Sequence, residues 1–176
     1  MSWRLKISET GLLVVDVQEK LVAAVKEPAD WVQNVEILVK AVKLLEIPVA
    51  ISEQVPAKLG KTVSSIQEAA GKVAPSSKSV FSAVAAGKAL GKKRVLVVGC
   101  EAHVCVRQTV YDLRQKEVQP VLVADAVGSR REMDRQLALQ EMRQDGIVIA
   151  STEAVLFELL ERAEHPKFKE IQSLVK

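Results

Sequence analysis

The sequence predicts a three-layer α/β fold, in which a six-stranded, mostly parallel sheet is flanked by helices. Short runs of β-branched and other apolar residues alternate along the chain with longer segments whose apolar residues recur at helical spacing. This alternation is typical of βαβ units, and therefore of a parallel sheet. A chain of 176 residues is long enough to bury one substantial core, so we expect a single domain over residues 1–176.

Six segments are predicted as strands because each is a short apolar or extended run bounded by turn residues. The first, GLLVVDVQ, is continuously apolar from Leu12 to Val15, as expected of a strand buried on both faces. The run RVLVVG, from Arg94 to Gly99, is the clearest of the others. The predicted strands are residues 11–18, 49–52, 78–81, 94–99, 119–126 and 147–150.

Helices are predicted between these strands from apolar periodicity and from capping residues. Asp30 and Thr152 are predicted N-caps, Thr62 begins a second helix, and Gly91 and Gly146 stop two others. The last twelve residues, HPKFKEIQSLVK, are interpreted as a tail. The predicted helices are residues 31–47, a segment from 62, 82–90, 102–116, 132–144 and 152–162.

Composition excludes several classes of function. Hydrophobic residues make up 48% and charged residues 27% of the chain, which excludes wholesale disorder. Aromatic residues make up only 3% and the net charge is +3, so a stacked-ring nucleic-acid surface or a polyanion partner is disfavoured. Two cysteines cannot form the disulfide framework of a small secreted protein.

The N-terminal region lacks the pattern of a targeting segment. The first ten residues carry Arg4, Lys6 and Glu9 and contain no apolar stretch like that of a signal peptide. The longest apolar run, LLVVDV, is interrupted by Asp16 and is too short to span a membrane. We therefore expect a cytoplasmic protein with no membrane partner, and mitochondrial association stays open.

Candidate functional residues directly follow three of the predicted strands. Asp16 follows the apolar run of the first, the segment CEAHVC that ends at Cys105 follows the fourth, and Ser129 and Arg130 follow the fifth. Ligands of parallel sheets bind beyond the carboxyl ends of the strands. We therefore expect a carboxylate and a thiol to meet at one edge of the sheet.

Cys105 is predicted near the start of a helix, where free N–H groups and the helix dipole lower the pKa of a thiol. The same N–H groups could stabilise an oxyanion during acyl transfer. The alternative is that Cys105 is simply a small buried apolar residue. A Cys–His pair with His103 is disfavoured because residues two apart on a helix point in different directions, and Cys100 is interpreted as structural.

Four stretches, in this order, resemble the isochorismatase-like cysteine hydrolases: LLVVDVQ, KSVFSAV, VLVVGCEAHVCVRQTVYDL, and VLVADAVGSR followed by a helix and GIVIASTE. The resemblance covers nearly the whole chain and implies a sheet of Rossmann-like strand order. The pieces GCEAHVCV and HPKFKEIQ are most similar to the small isochorismatase-domain proteins of eukaryotes.

The resemblance implies that Asp16, Lys78 and Cys105 are catalytic, with Lys78 identified by its position three residues before the Phe81–Ser82 pair. It implies a cis peptide bond between Cys100 and Glu101, and an oxyanion hole formed by the N–H groups of Glu101 and Cys105. In this scheme Lys78 stabilises the Cys105 thiolate, and Asp16 acts as general base and then acid. The implied reaction is hydrolysis of a small amide or related acyl compound through an acyl-enzyme.

Departures from the family narrow the expected chemistry. Nicotinamidase-type members hold a metal in the loop after the second strand, but here that loop reads SEQVPAKLGK and has no histidine. We therefore predict no metal, and the absence of zinc-type spacings and of a Gly-rich phosphate loop predicts no other cofactor. The presence of Cys105 disfavours the vinyl-ether cleavage of isochorismatase itself.

A substrate pocket is predicted from residues of the loops around this centre. For Glu53 and Gln54, the alternative is an exposed loop with no role in the site. Ser129 and Arg130 could instead hold the cysteine loop in place. The predicted lining residues are Glu53, Gln54, Phe81, His103, Ser129 and Arg130.

Other functions stay open beside the hydrolase. One is a non-enzymatic interaction protein of the same fold. Another is a ribonuclease, because some parasite proteins resembling this subgroup have been described as ribonucleases, although Arg130 and Arg131 offer only a small basic patch. The expected partners are a small-molecule substrate and further copies of the chain, since family members commonly assemble as dimers or larger rings.

Overall fold

A computed structural model describes residues 4–25 and 28–176, and these form a parallel six-stranded sheet. The strands are β1 (Thr10–Val15), β2 (Val49–Gln54), β3 (Ser76–Lys78), β4 (Arg94–Cys100), β5 (Gln119–Gly128) and β6 (Val148–Ala150). Their spatial order is β3-β2-β1-β4-β5-β6, and every neighbouring pair is parallel. The predicted three-layer α/β fold with a parallel sheet is confirmed.

Helices cover both faces of the sheet. On one side lie the helices that follow β1, β2 and β6, and on the other lie those that follow β3, β4 and β5. The helices are α1 (Glu19–Ala24), α2 (Trp31–Leu44), α3 (Pro56–Leu59), α4 (Ser64–Ala70), α5 (Val84–Ala89), α6 (Arg107–Gln115), α7 (Glu132–Gln144), α8 (Thr152–Leu160) and α9 (Phe168–Leu174). A 3₁₀ turn (Ile7–Glu9) precedes β1, and a π-helical turn (Ala102–Val106) precedes α6.

The structure differs from the sequence prediction at several element boundaries. The first strand ends at Val15, two short helices, α1 and α3, lie in segments not predicted as helical, and the predicted tail contains α9. Ile171 of α9 is fully buried against the same core as α2. Phe168, Ile171 and Leu174 recur at helical spacing in this segment, but so short a helix is marginal by itself, and packing against the core stabilises it.

β1 lies at the centre of the sheet and is buried along its whole length. Successive strand residues point to opposite faces. Accordingly, Leu12 and Val14 join the core under α2 and α8, whereas Leu13 and Val15 join the core under α6 and α7. Burial on both faces explains the uninterrupted apolar run in the sequence. It also fixes the position of Asp16, which directly follows Val15 at the end of β1.

The carboxyl ends of β1 and β4 approach each other closely at Gly99. Its φ is 115°, a conformation that L side chains rarely adopt, and a Cβ atom there would lie 2.0 Å from the Val15 carbonyl oxygen. Only glycine fits this approach. It brings the residue that follows, Cys100, beside the end of β1.

Within the part of the chain that the structure describes, no helix combines the length and apolarity required to cross a membrane.

Candidate active site

Asp16, Lys78 and Cys105 meet at the carboxyl edge of the sheet. Asp16 follows β1, Lys78 ends β3, and Cys105 lies in the π-helical turn after β4. Lys78 Nζ lies 2.6 Å from Asp16 Oδ2, and Cys105 lies near enough to the Asp16 carboxylate that the carboxylate raises the pKa of the thiol. One carboxylate therefore acts on both a cation and a thiol, and this edge is where the topology of a parallel sheet places ligands.

The Asp16 carboxylate is held by the neighbouring strand. Its backbone has a φ of 52°, which turns the chain out of β1, and its N–H donates to the Ser52 carbonyl (3.1 Å). The Ser52 hydroxyl donates to Asp16 Oδ1 (2.7 Å), and the Cys100 thiol donates to the Asp16 carbonyl (3.2 Å). Asp16 is fully buried, and each carboxylate oxygen accepts a hydrogen bond from a named partner. These two bonds fix the orientation of the carboxylate at the end of β1.

Lys78 extends across the end of β2 to reach Asp16. In the sheet it pairs directly with Gln54, and its side chain is 9% exposed. The ammonium donates to Asp16 Oδ2 and to Gln54 Oε1 (2.7 Å), and it also faces the carbonyls of Phe81 (2.8 Å) and Val80 (3.3 Å). Four oxygens thus surround three N–H protons.

Glu53 and Gln54 belong to β2, so their prediction as loop residues is wrong. The polar side chains of Glu53 and Gln54 do not continue the apolar run of the strand, so the sequence suggests a loop. Their backbones nevertheless pair with Ser77 and Lys78 of β3. The Glu53 carboxylate accepts from the Thr62 N–H (2.7 Å) and hydroxyl (2.8 Å). Because strand residues alternate, Gln54 points to the face opposite Glu53. Of these two residues, Gln54 is the one whose side chain contacts Lys78.

Cys105 does not lie at the start of an α-helix. It sits within the π-helical turn, and α6 begins two residues later at Arg107. The Thr109 hydroxyl donates to the Cys105 carbonyl (2.6 Å) and accepts from the Ala83 N–H (2.8 Å). The loop after β3 is thereby tied to the cysteine segment.

The expectation that this setting lowers the thiol pKa is wrong. Burial, followed by the charge of the Asp16 carboxylate, raises the pKa of Cys105 to about 12, and the nearby Lys78 charge opposes that rise only in part. Cys105 is 6% exposed. Burial favours the uncharged form of a thiol, and so does a neighbouring negative charge. The resting side chain is therefore a thiol rather than a thiolate.

Glu101 precedes the π-helical turn, and the peptide bond between Cys100 and Glu101 is cis, as the family resemblance predicted. The Glu101 carboxylate accepts from the Arg130 N–H (2.9 Å) and from its Nε (3.1 Å). The Arg130 side chain is 63% exposed. Arg130 therefore holds the cysteine segment, which was one of the two roles predicted for it.

His103 and Ser129 contact each other at the rim of the site. His103 Nδ1 lies 3.0 Å from Ser129 Oγ, and Ser129 is fully buried. His103 Nε2 lies 3.9 Å from Asp134 of α7. These contacts link the cysteine segment to the end of β5.

Phe81 is half exposed and contributes its backbone to the site. Its carbonyl accepts from Lys78, and the residue as a whole is 51% exposed. A cavity of about 590 Å³ lies elsewhere, lined by Arg94, Arg114 and Ile147 near the amino ends of the central strands. Lining of a substrate pocket by the six predicted residues stays a prediction.

Two residues that organise the site were not predicted from the sequence. Ser52 orients Asp16, and Thr109 anchors Cys105. Ser52 ends a predicted strand at the edge that carries the site, which is a usable signal. Thr109 stands four residues after Cys105, the spacing at which a threonine hydroxyl bonds back to a helical carbonyl.

Among residues 4–25 and 28–176, no three His, Cys, Asp or Glu side chains form a group that could hold a metal ion.

Comparison with known proteins identifies the family to which this chain belongs. Isochorismatase domain-containing protein 2 of Danio rerio is 37% identical over 178 residues, covering 98% of this chain and 89% of that protein. The structure of MAR1 ribonuclease from Caenorhabditis elegans has a TM-score of 0.90 and 34% identity, covering 98% of this chain and 92% of that one. YcaC of Escherichia coli, described as an octameric hydrolase of unknown specificity, has a TM-score of 0.86 at 22% identity, covering 98% and 96%, and shares the fold. The isochorismatase domain itself matches residues 10–154, so the chain belongs to the isochorismatase domain family.

Proposed function

We propose that this protein is a cysteine-dependent hydrolase of small amides or related acyl compounds, in which Asp16, Lys78 and Cys105 act together. The observation that carries the proposal is the shared carboxylate: Asp16 is paired with the Lys78 ammonium at 2.6 Å and also acts on the pKa of the Cys105 thiol. A nucleophile in contact with a base that is itself oriented by a third group is the arrangement that covalent catalysis requires. Membership of the isochorismatase domain family supports hydrolysis as the reaction class.

The raised pKa of Cys105 determines the first step. Since the resting group is a thiol, Asp16 takes its proton as the sulfur attacks the substrate carbonyl, and a free thiolate does not accumulate. The Lys78 ammonium offsets the negative charge that moves from the carboxylate to the sulfur. The sulfur–carbon bond forms as the carbonyl π electrons move to oxygen, giving a tetrahedral oxyanion. The N–H groups of Glu101 and Cys105 are its proposed donors.

The second half of the reaction returns the proton. Asp16 protonates the leaving nitrogen, the C–N bond breaks, and a thioester remains on Cys105. Asp16 then takes a proton from water, whose oxygen attacks the thioester to release the acid, and Asp16 returns that proton to the departing sulfur. One water molecule is consumed, and no other co-reactant is required.

The test is a screen of small amides, ureides and esters with wild type and Cys105→Ala. We expect wild-type turnover to be lost in Cys105→Ala, with intact mass showing an acyl adduct on wild type alone. Tryptic cleavage gives one peptide, residues 95–107, that carries both cysteines, and its fragment ions assign the adduct. Turnover that survives in Cys105→Ala, or an adduct on Cys100, contradicts the proposed mechanism.

Ribonuclease activity is a second candidate, because one relative at 34% identity is described as a ribonuclease. The burial of Asp16 and Cys105 argues against it, since a polymer phosphodiester would have to reach an enclosed thiol. RNA cleavage that is lost in Cys105→Ala, with binding that weakens steeply as salt is raised, would favour this candidate over amide hydrolysis. The interaction-protein alternative predicts no turnover and no adduct with any compound in the screen.

We also propose that the protein self-associates. Val80 and Phe81 are 67% and 51% exposed, next to the carbonyl contacts of Lys78. Neighbouring exposed apolar residues can form part of a contact surface when they belong to a larger contiguous patch. The octameric description of the Escherichia coli neighbour is consistent with this proposal. Light scattering should give a mass above 19.2 kDa for wild type and a lower mass for Phe81→Ser; a wild-type monomer at all concentrations contradicts self-association.

A further inference from the structure

We propose that Gln54 is a positioning residue that fixes the Lys78 ammonium beside Asp16. The inference rests on the proposed function, because it assigns how the cation of that site is held. In this role Gln54 acts on the reaction by positioning Lys78 and does not itself contact the substrate.

The amide of Gln54 has only one orientation that satisfies its neighbours. Nε2 donates to the Ser79 carbonyl at 2.8 Å, so the oxygen is the atom that faces Lys78 Nζ, at 2.7 Å. The reverse orientation would place an NH₂ group against an ammonium and a carbonyl against a carbonyl. The environment therefore selects an acceptor aimed at Lys78.

The backbone of Gln54 is fixed as firmly as its amide. Its N–H donates to Gln18 Oε1 (2.7 Å), and Gln18 Nε2 donates back to the Gln54 carbonyl (3.1 Å) and to the Gly60 carbonyl (2.6 Å). Gln18 is fully buried and Gln54 is nearly so. Because Gln18 follows Asp16 by two residues, this reciprocal pair locks the end of β2 to the segment that carries the carboxylate.

The number of acceptors around Lys78 defines what its ammonium can do. Asp16, Gln54 and the Phe81 carbonyl all lie within 2.8 Å, which accounts for all three N–H protons. No proton remains to bind a substrate, so Lys78 acts through its charge. A salt bridge alone leaves the ammonium free to rotate about Asp16, and the Gln54 oxygen supplies a second fixed direction.

Nuclear magnetic resonance of protein labelled with ¹⁵N-lysine tests the assignment without any substrate. In wild type the Lys78 ammonium protons should exchange slowly with water and give a persistent signal, absent in Lys78→Met. Gln54→Met, which keeps the side-chain length but has no comparable acceptor, should lose that signal. Gln54→Glu, which keeps an acceptor, should retain it. Gln136→Met on the exposed face of α7 is the matched control and should leave the signal unchanged.

The pH dependence of Cys105 alkylation by iodoacetamide gives a second readout. With the cation less well placed in Gln54→Met, we expect alkylation at pH 9 to slow by about three- to tenfold, which corresponds to up to one pH unit in the thiol titration. Gln54→Glu should also slow it, because a second carboxylate disfavours the thiolate.

A Lys78 signal and an alkylation rate that are unchanged in folded Gln54→Met would overturn the inference, as would loss of the signal in folded Gln54→Glu. Thermal melting identifies any variant that does not fold. Failure of the whole amide screen, with these two readouts as expected, would instead count against the proposed hydrolase function alone.

Discussion

Lys78 and Asp16 form an ion pair at 2.6 Å with 9% and 0% of their side chains exposed, although 62 positions separate them in the sequence. The pair spans the end of β2, so three adjacent strands of the sheet must be in place before it can form. Removing one partner of such a pair leaves an uncompensated buried charge. The pair therefore links the stability of this sheet edge to the proposed chemistry.

Lys78→Met should lower the free energy of unfolding by about 3 kcal/mol, because Asp16 is left buried without its counter-ion. Urea denaturation followed by circular dichroism measures the change, and Lys88→Met, at an exposed position of α5, is the control with little expected change. The double variant Asp16→Asn with Lys78→Met should recover part of the loss, since neither charge remains. If the double variant loses the sum of the two single effects, the pair is not the source of the destabilisation.

Asp16→Asn should make Cys105 easier to ionise and yet abolish turnover. The Asp16 carboxylate is one cause of the raised thiol pKa of about 12, so its removal should shift the alkylation profile to lower pH. Loss of the general base should reduce turnover by at least about a hundredfold. Iodoacetamide labelling across pH 7 to 11, read by mass spectrometry, checks the first effect, and an unchanged or upward shift contradicts this account of the site.

Arg130→Ala should reduce turnover by about tenfold or more while the melting temperature changes little. The guanidinium holds the Glu101 carboxylate beside the proposed oxyanion donors, but the side chain is mostly exposed, so its stabilisation of the fold is small. Arg131→Ala is a matched control because the neighbouring Arg131 is exposed. Equal effects of the two substitutions on turnover would mean that net charge, and not the Glu101 contact, is responsible.

Gly99→Ala should prevent folding or lower the free energy of unfolding by more than about 4 kcal/mol. An added Cβ would meet the Val15 carbonyl oxygen at 2.0 Å, in a backbone that cannot retreat without separating β1 from β4. Gly71→Ala is the control, because Gly71 also has a positive φ but open space around it, so about 1–2 kcal/mol is expected there. Soluble expression and urea midpoints compare the stability of the two variants. Similar losses of stability would show that the positive φ, and not the approach to the Val15 carbonyl, causes the destabilisation.

Stability should fall as the pH rises above about 9. The folded protein holds Cys105 as a thiol up to a pKa of about 12, whereas the unfolded chain releases that proton near the ordinary thiol pKa. The unfolded state therefore binds fewer protons between these values, and the free energy of unfolding decreases with pH in that window. Urea denaturation at pH 8 and pH 10.5 should show a smaller decrease for Cys105→Ala than for wild type, and an equal decrease would assign the effect to other groups.

Much of the fold could be predicted because its signals are local. Continuous apolar runs bounded by turns mark β1 and β4, and topology then places Asp16 and the cysteine segment at one edge. The position of Lys78 depended on the family resemblance, since a lysine in the short extended piece KSVF carries no pattern of its own. The direction in which Lys78 reaches follows from the pairing of β3 with β2, which only the assembled sheet defines.

The thiol pKa could not be predicted from the sequence. A cysteine near a predicted helix start suggests a lowered pKa, but the direction depends on burial and on the distance to Asp16. Both are properties of the folded site. The anchoring of the π-helical turn was likewise out of reach, because the Thr109 hydroxyl that donates to the Cys105 carbonyl also accepts from the Ala83 N–H, 26 positions away.

The three-residue strand β3 lies at the outer edge of the sheet and carries Lys78 as its last residue. Edge segments of this kind open locally at a lower free-energy cost than the central strands. Mild heat or denaturant should therefore abolish the proposed activity while the circular dichroism of the protein is still native. An activity assay would then report whether the edge strand β3 is still paired with β2. Hydrogen exchange at residues 76–78 should increase in parallel with the loss of turnover and before global unfolding.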